Sequence, residues 1–236
     1  MTIENVLWAL LALAAGLVAY HHAVYPLILR FMGARRRGDV PARRQPDFLP
    51  RVTIIVPAYR ERDYIARKIE DLAALDYPVE ALEIMIACDG SPDGTPEVAR
   101  GALDALGEAA RHIQLDVFPE NRGKVTVLNA MIGKAKGEIV VLMDASAGNT
   151  PDFVRRLVQP FSDQSLGVAC AGYQLDNPGS PGEAAYWQYQ IAVKRLEAAI
   201  AAPMGAHGAA YAFRRSLWKP LPSESINDDF VLPMRM

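Results

Sequence analysis

The sequence predicts an α/β domain, a mostly parallel sheet with helices on both faces, preceded by one apolar N-terminal helix. Three observations lead there. From Arg51 onward, short apolar runs alternate with segments whose apolar residues recur at helical spacing, the pattern of strand–helix–strand units. Several of the runs are apolar at nearly every position, as strands buried on both faces are. Before them, Val6 to Leu29 is apolar throughout except for His21 and His22.

The N-terminal run comes first. As a helix it would be about 36 Å long at 1.5 Å per residue, enough for a bilayer core of roughly 30 Å. Glu4 precedes it, and Arg30, Arg35, Arg36, Arg37, Arg43 and Arg44 follow. The positive-inside rule then expects a single-pass anchor over residues 1–32 in the inner (plasma) membrane, with everything after Arg30 in the cytoplasm. A cleaved signal peptide would need a basic start and a small-residue cleavage site, and the sequence offers neither. His21 and His22 read either as a proton or metal site within the span or as residues near a bilayer interface or facing other helices. Residues 33–50, rich in Arg, Pro and Gly, read as a basic juxtamembrane linker along an anionic surface.

The soluble part, residues 51–236, follows in order. VTIIVP is a strand, and Ile65, Ile69, Leu72 and Leu75 mark the buried face of a helix. LEIMIACDG is a second strand. TPEVARGALDALGEAA is a helix opened by Thr95, with Pro96 early in its first turn where a missing N–H costs nothing. IQLDVF, EIVVLMD and LGVACAGYQ are further strands; KVTVLNAMIGKA and TPDFVRRLVQPF are helices. A long helix is expected over Gly182 to Ala201.

Composition excludes some functions. With 236 residues and a formal charge of −2, the chain can bury a full core and gives no global argument for nucleic acid. Cys88 and Cys170 lie far apart in apolar runs and read as buried, reduced thiols; no CxxC or Cys/His cluster suggests zinc. No GxGxxG follows a strand, which argues against a dinucleotide-binding oxidoreductase. A nucleotidyltransferase should carry a Gly-rich loop and a basic residue after the first strand, and VPAYRERD has none.

Ligands of such sheets bind beyond the carboxyl ends of the strands. There the chain places Pro57, Ala58, Tyr59 and Glu61, then Asp89, Gly90 and Ser91, then Asp144. Three strands ending in this chemistry point to one shared cleft.

Together these residues resemble the family-2 glycosyltransferases with a GT-A, Rossmann-like fold. The resemblance is carried by VTIIVPAYRERDYIARKIEDL, CDGSPDGT, NRGKVTVLNAMIGKAKGEIVVLMDAS, GAHGAAYAFRRSLW and INDDF, from residue 52 to about 234. The N-terminal span brings it nearer the membrane-bound branch, which includes hyaluronan, cellulose and exopolysaccharide synthases. The resemblance implies transfer of a sugar from a nucleotide-sugar donor, a UDP-sugar, to a hydroxyl acceptor on a glycan or lipid, with Mg²⁺ or Mn²⁺. Pro57, Ala58, Tyr59 and Glu61 would line the nucleotide pocket, and Asp89 would meet the uracil ring. Lys124 and Asn129 would lie near the nucleotide or diphosphate, Asp144 would contact the ribose or the cation, and Asp229, with Asp228 beside it, would be the general base.

Each residue has a structural alternative. Tyr59 could pack at a sheet edge and Lys124 could be solvated in a first helical turn. Asn129 could belong to a polar helix face, and Asp89 could fix its own turn. Asp228 and Asp229 could be an N-cap pair, Arg214 and Arg215 a surface pair instead of phosphate ligands, and His207 is expected to play a positional role.

The chain departs from the family pattern twice. Ser146 stands where a second carboxylate is usual, yet Mg²⁺ keeps several waters and needs only one or two protein carboxylates plus phosphates. The expectation is therefore an active, metal-assisted site with weaker affinity for the ion before nucleotide arrives. The other departure is the end at Met236, seven residues after Asp229, where the branch continues with a Q/RxxRW motif and further membrane helices. The competing expectation, from a different class, is a nucleotide-sugar-binding fragment or partner subunit of a complete transferase.

Overall fold

The computed structural model describes residues 2–36, 48–175, 178–200 and 205–236. Most of the expected basic linker, residues 37–47, lies outside them. The chain divides into two compact units, residues 1–42 with 172–204 and residues 43–171 with 205–236.

The second unit is built on a six-stranded sheet of order β3-β2-β1-β4-β6-β5. Its strands are β1 (Val52–Ala58), β2 (Leu82–Asp89), β3 (Ile113–Phe118), β4 (Ile139–Met143), β5 (Val168–Cys170) and β6 (Ala210–Arg214). β1 to β4 run parallel, while β6 is antiparallel to both β4 and β5. Ile54 and Val56 point into one buried cluster, with Ile65, Ile69 and Leu72 of α3 (Ile65–Ala73) and with residues of α4 (Thr95–Leu106) and α6 (Phe153–Val158). Ile55 points to the other, with Val127, Leu128 and Met131 of α5 (Lys124–Lys134) and Leu232 of α8 (Asp228–Met234). The two-residue alternation of the strand thus feeds two cores, the reason its sequence is apolar at every position but Thr53, whose hydroxyl donates to the Glu83 carboxylate.

β6 was not among the expected strands. It inserts between β4 and β5, so the run LGVACAGYQ contributes only the three residues of β5, at the sheet edge. Cys88 is fully buried, and burial pushes its thiol up to about 11; Cys170, in this edge strand, is only partly buried, which corrects the expectation of two buried thiols.

The first unit is helical. α1 (Ile3–Ala19) passes through a π-helical turn, Tyr20–Val24, into α2 (Tyr25–Arg36), so the helix continues past the expected anchor boundary at residue 32. The long helix α7 runs Pro181–Ala198, capped by the Ser180 hydroxyl, which accepts from Glu183 N–H at 3.1 Å. It packs beside α2, with Gly33 near Ala199. A π-turn leaves a carbonyl without its usual helical donor, and Tyr189 O–H donates to the His21 carbonyl at 2.6 Å. Tyr25 O–H donates to the buried Glu197 carboxylate at 2.7 Å. His21 and His22 stack edge-on at 4.8 Å and both face Tyr189.

Candidate active site

The candidate residues of the second unit gather where β1, β2 and β4 end. Two loops brace one another there. Ser91 Oγ accepts from Arg60 N–H at 3.2 Å, and Thr95 Oγ1 accepts from Glu61 N–H at 3.0 Å. Asp93 accepts from Arg62 N–H at 3.3 Å and from both Thr95 donors. Arg60 adopts φ +60°, a left-handed conformation costly for a residue with a Cβ, and its guanidinium lies 5.4 Å from the Tyr59 ring centroid. Tyr59 is exposed, Pro57 and Glu61 are partly buried, and Ala58 is buried.

Asp89 is 4% exposed. Its two carboxylate oxygens accept from Arg122 N–H at 2.8 Å and Gly123 N–H at 2.9 Å. The side chain therefore holds the segment that enters α5, and α5 opens at Lys124. Gly90, at φ +60°, lets this crossing happen: a Cβ there would lie 2.2 Å from the Asn121 backbone nitrogen.

Lys124 is the meeting point. Its Nζ lies 3.4 Å from Asp144 Oδ1 and 3.4 Å from Asp228 Oδ1. Burial works against its charge, but the Asp144 and Asp228 carboxylates outweigh it and hold Lys124 above the ordinary lysine range. Burial likewise pushes Asp228 up, with Lys124 pulling it back. Glu61 is raised by burial, then by Asp144 and Asp93.

Asp144 and Asp229 converge on Gly208. A Cβ at Gly208 would stand 3.0 Å from Asp229 Oδ2 and 3.7 Å from Asp144 Oδ2, so this glycine keeps the space between the two carboxylates open. The backbone fixes the arrangement. Asp144 N–H donates to Ala209 C=O at 3.1 Å, and Ala206 N–H to Asp229 C=O at 2.7 Å. His207 Nδ1 accepts from Ala209 N–H at 3.2 Å within the same turn.

Two residues do other work. The Asn129 amide donates to Leu221 C=O at 2.8 Å and accepts from Leu221 N–H at 2.9 Å, so both its polar atoms pin the segment before α8. Arg214 donates to the carbonyls of Leu166, Phe161 and Asp163 and stays with the fold. Two buried groups at this end of the sheet were not singled out from sequence. Tyr211, 1% exposed in β6, has a hydroxyl with no protein partner, and Lys68, 2% exposed in α3, donates from Nζ to Ala147 C=O. Lys68 interrupts the apolar face of α3, the signal that could have flagged it.

The site carries more carboxylates than ammonium groups: Glu61, Asp144, Asp228 and Asp229 against Lys124 and Lys68. Among the described residues no group of three or more His, Cys, Asp or Glu could hold a metal by itself. Hard oxygen donors in carboxylate excess, around a space a Cβ would fill, fit a divalent cation that completes its shell from a ligand.

The family model for glycosyl transferase family 2 matches residues 53–219. The chain belongs to that family. Its fold is the GT-A fold of family-2 glycosyltransferases, and among solved structures it is similar to the Pyrobaculum calidifontis mannosyltransferase PcManGT in complex with GDP-Man and Mn²⁺. That likeness has a TM-score of 0.75 and 28% identity over 92% of this chain and 61% of that one. S. aureus TarS shares the fold at a TM-score of 0.58 and 16% identity, over 78% of this chain and 54% of that one. Among curated relatives, a β-monoglucosyldiacylglycerol synthase of Synechocystis is 33% identical over 50% of this chain and 24% of its own length. An undecaprenyl-phosphate 4-deoxy-4-formamido-L-arabinose transferase of Edwardsiella ictaluri is 30% identical over 50% and 35%. The chain thus spans well under half of these relatives.

Proposed function

We propose that this chain is a membrane-anchored, inverting glycosyltransferase that moves a sugar from a nucleoside diphosphate to a hydroxyl on a lipid or glycan. The observation that carries the reading is the convergence of Asp144 and Asp229 on the open space at Gly208, with Lys124 bridging Asp144 and Asp228. A diphosphate entering a site already rich in carboxylates would be repelled unless cations offset it. Lys124 supplies one positive charge, and Asp144 is the side chain that would share a Mg²⁺ or Mn²⁺ ion with the diphosphate. Such an ion, when bound, offsets the charge that develops on the leaving group. Asp229 then takes the acceptor proton as the acceptor oxygen bonds to the anomeric carbon and the bond to the diphosphate breaks. Asp228 holds Lys124 in place, and Asp89 places Lys124 by fixing the loop before it. Pro57, Ala58, Tyr59 and Glu61 border the nucleotide.

UDP is the expected nucleotide. A second reading, GDP, is favoured by the GDP-Man complex of the mannosyltransferase neighbour. Relatives named for diacylglycerol and undecaprenyl-phosphate products support a lipid acceptor, with polysaccharide or glycoconjugate synthesis as the setting. Ile3–Gly33 is 31 residues of continuous helix whose most apolar stretch is exposed, which supports the anchor, and the arginines that follow support a cytoplasmic catalytic unit. Calorimetric titration of UDP and GDP into the full-length protein, with Mn²⁺ and with chelator, tests the reading. One nucleotide should bind at least tenfold more tightly with metal, about 1.4 kcal/mol. Equal affinities for both nucleotides with and without metal would sink it.

A further inference from the structure

Lys68 has no place in the chemistry above, yet it is the most heavily buried charged side chain described in the second unit. Its neighbours along α3, Ile65, Ile69 and Leu72, are fully buried and apolar, so an ammonium among them carries a desolvation penalty. Burial lowers its pKa to about 8, with Asp71 and Asp144 opposing. Something must hold the charge there. Its Nζ donates to the Ala147 carbonyl, and Ala147 N–H donates to the Asp144 carbonyl at 3.2 Å, which closes the turn Asp144–Ala147. α3 grips the same loop again two residues on, where Asn149 Nδ2 donates to Asp71 C=O at 3.2 Å.

This turn carries Asp144 and the exposed Ser146. Because Ser146 has no charge, the aim of one carboxylate decides how well a cation can be held, and Lys124 already draws on Asp144 Oδ1. We propose that Lys68 is a positioning residue: from beneath the sheet end it fixes the Asp144–Ala147 turn so that Asp144 meets a divalent cation brought with the nucleoside diphosphate. The proposal rests on the reading of Asp144 as the cation's protein ligand. Lys68 is too buried to touch nucleotide, so its influence passes through the turn.

The test is a double-mutant cycle read by calorimetry on the detergent-solubilised full-length protein, titrating UDP and GDP with Mn²⁺ and with chelator. Lys68→Met, nearly isosteric, should cut the Mn²⁺-dependent gain in affinity at least fivefold and leave affinity in chelator within about twofold, a loss of roughly 1 kcal/mol. In an Asp144→Asn background the same change should remove nothing further, because its target is gone. A wild-type gain in Lys68→Met overturns the proposal, as does an equal loss in both backgrounds. Should Lys68→Met fail to fold, Lys68→Gln carries the test; an unchanged gain there overturns the proposal too. A wild-type protein whose nucleotide affinity ignores Mn²⁺ overturns the cation reading itself and the role of Lys68 with it, a failure visible without any Lys68 variant.

Discussion

Asp228 and Asp229 show how adjacent identical residues acquire different work. Asp228 is 6% exposed and tied to Lys124, whereas Asp229 is partly exposed beside Gly208. Asp228→Asn keeps the shape of a carboxylate already made costly by burial, so its loss of stability should stay within about 1 kcal/mol by chemical denaturation. Lys68 gives a pH prediction. Its folded pKa, about 8, lies below the unfolded value, so the unfolded chain binds more protons between roughly pH 8 and 10.5. Stability from this group is therefore full above the unfolded pKa and lost as pH falls through about 8. The unfolding free energy from chemical denaturation should rise with pH across that window by a component, on the order of 3 kcal/mol, that Lys68→Met lacks. Arg60 gives another. Asn tolerates φ near +60° better than Arg, so Arg60→Asn should be neutral or stabilising, while Arg60→Val should cost about 1–2 kcal/mol in the same measurement. Residue roles were the least legible feature in the sequence. The motif identified Asp89 and Asn129 as polar residues near the cleft, but the partners that occupy them, Arg122, Gly123 and Leu221, lie 33, 34 and 92 residues away.

At the scale of elements, the parallel strands were legible because burial on both faces demands mostly apolar runs, and β1, β2 and β4 have them, with Thr53 and Glu83 as the interior exceptions. β6 was not. Its Ala210, Tyr211, Ala212 and Phe213 are all buried, but small residues alternate with aromatic ones, and its partners are the distant β4 and β5. α7 was legible as a helix, while its packing beside α2 is a long-range fact no local period encodes. Glycines at loop crossings test the element geometry. Gly208→Ala would push a methyl to 3.0 Å from Asp229 Oδ2, so the variant should fold and bind nucleotide while turnover falls at least tenfold. Gly90→Ala meets backbone in a left-handed conformation and should destabilise the fold by about 3 kcal/mol or more, seen as a lowered melting temperature.

At the scale of the whole molecule, a 31-residue apolar helix and an α/β sheet with a carboxylate-rich end are joined in one chain. Since α7 packs on α2, deleting residues 1–36 should strip α7 of its partner and leave a chain that needs detergent, whereas the intact protein should stay in the membrane pellet after alkaline extraction. Asp229 is the residue proposed to activate the acceptor for sugar transfer at the Asp144 site. Its most direct test is release of nucleoside diphosphate from UDP-sugars and GDP-mannose by the full-length protein in lipid-containing membranes with Mn²⁺, wild type against Asp229→Asn. The wild type should turn over one donor class, and Asp229→Asn should fall roughly 10²- to 10⁴-fold at nearly unchanged donor affinity. Wild-type turnover in Asp229→Asn would contradict that role.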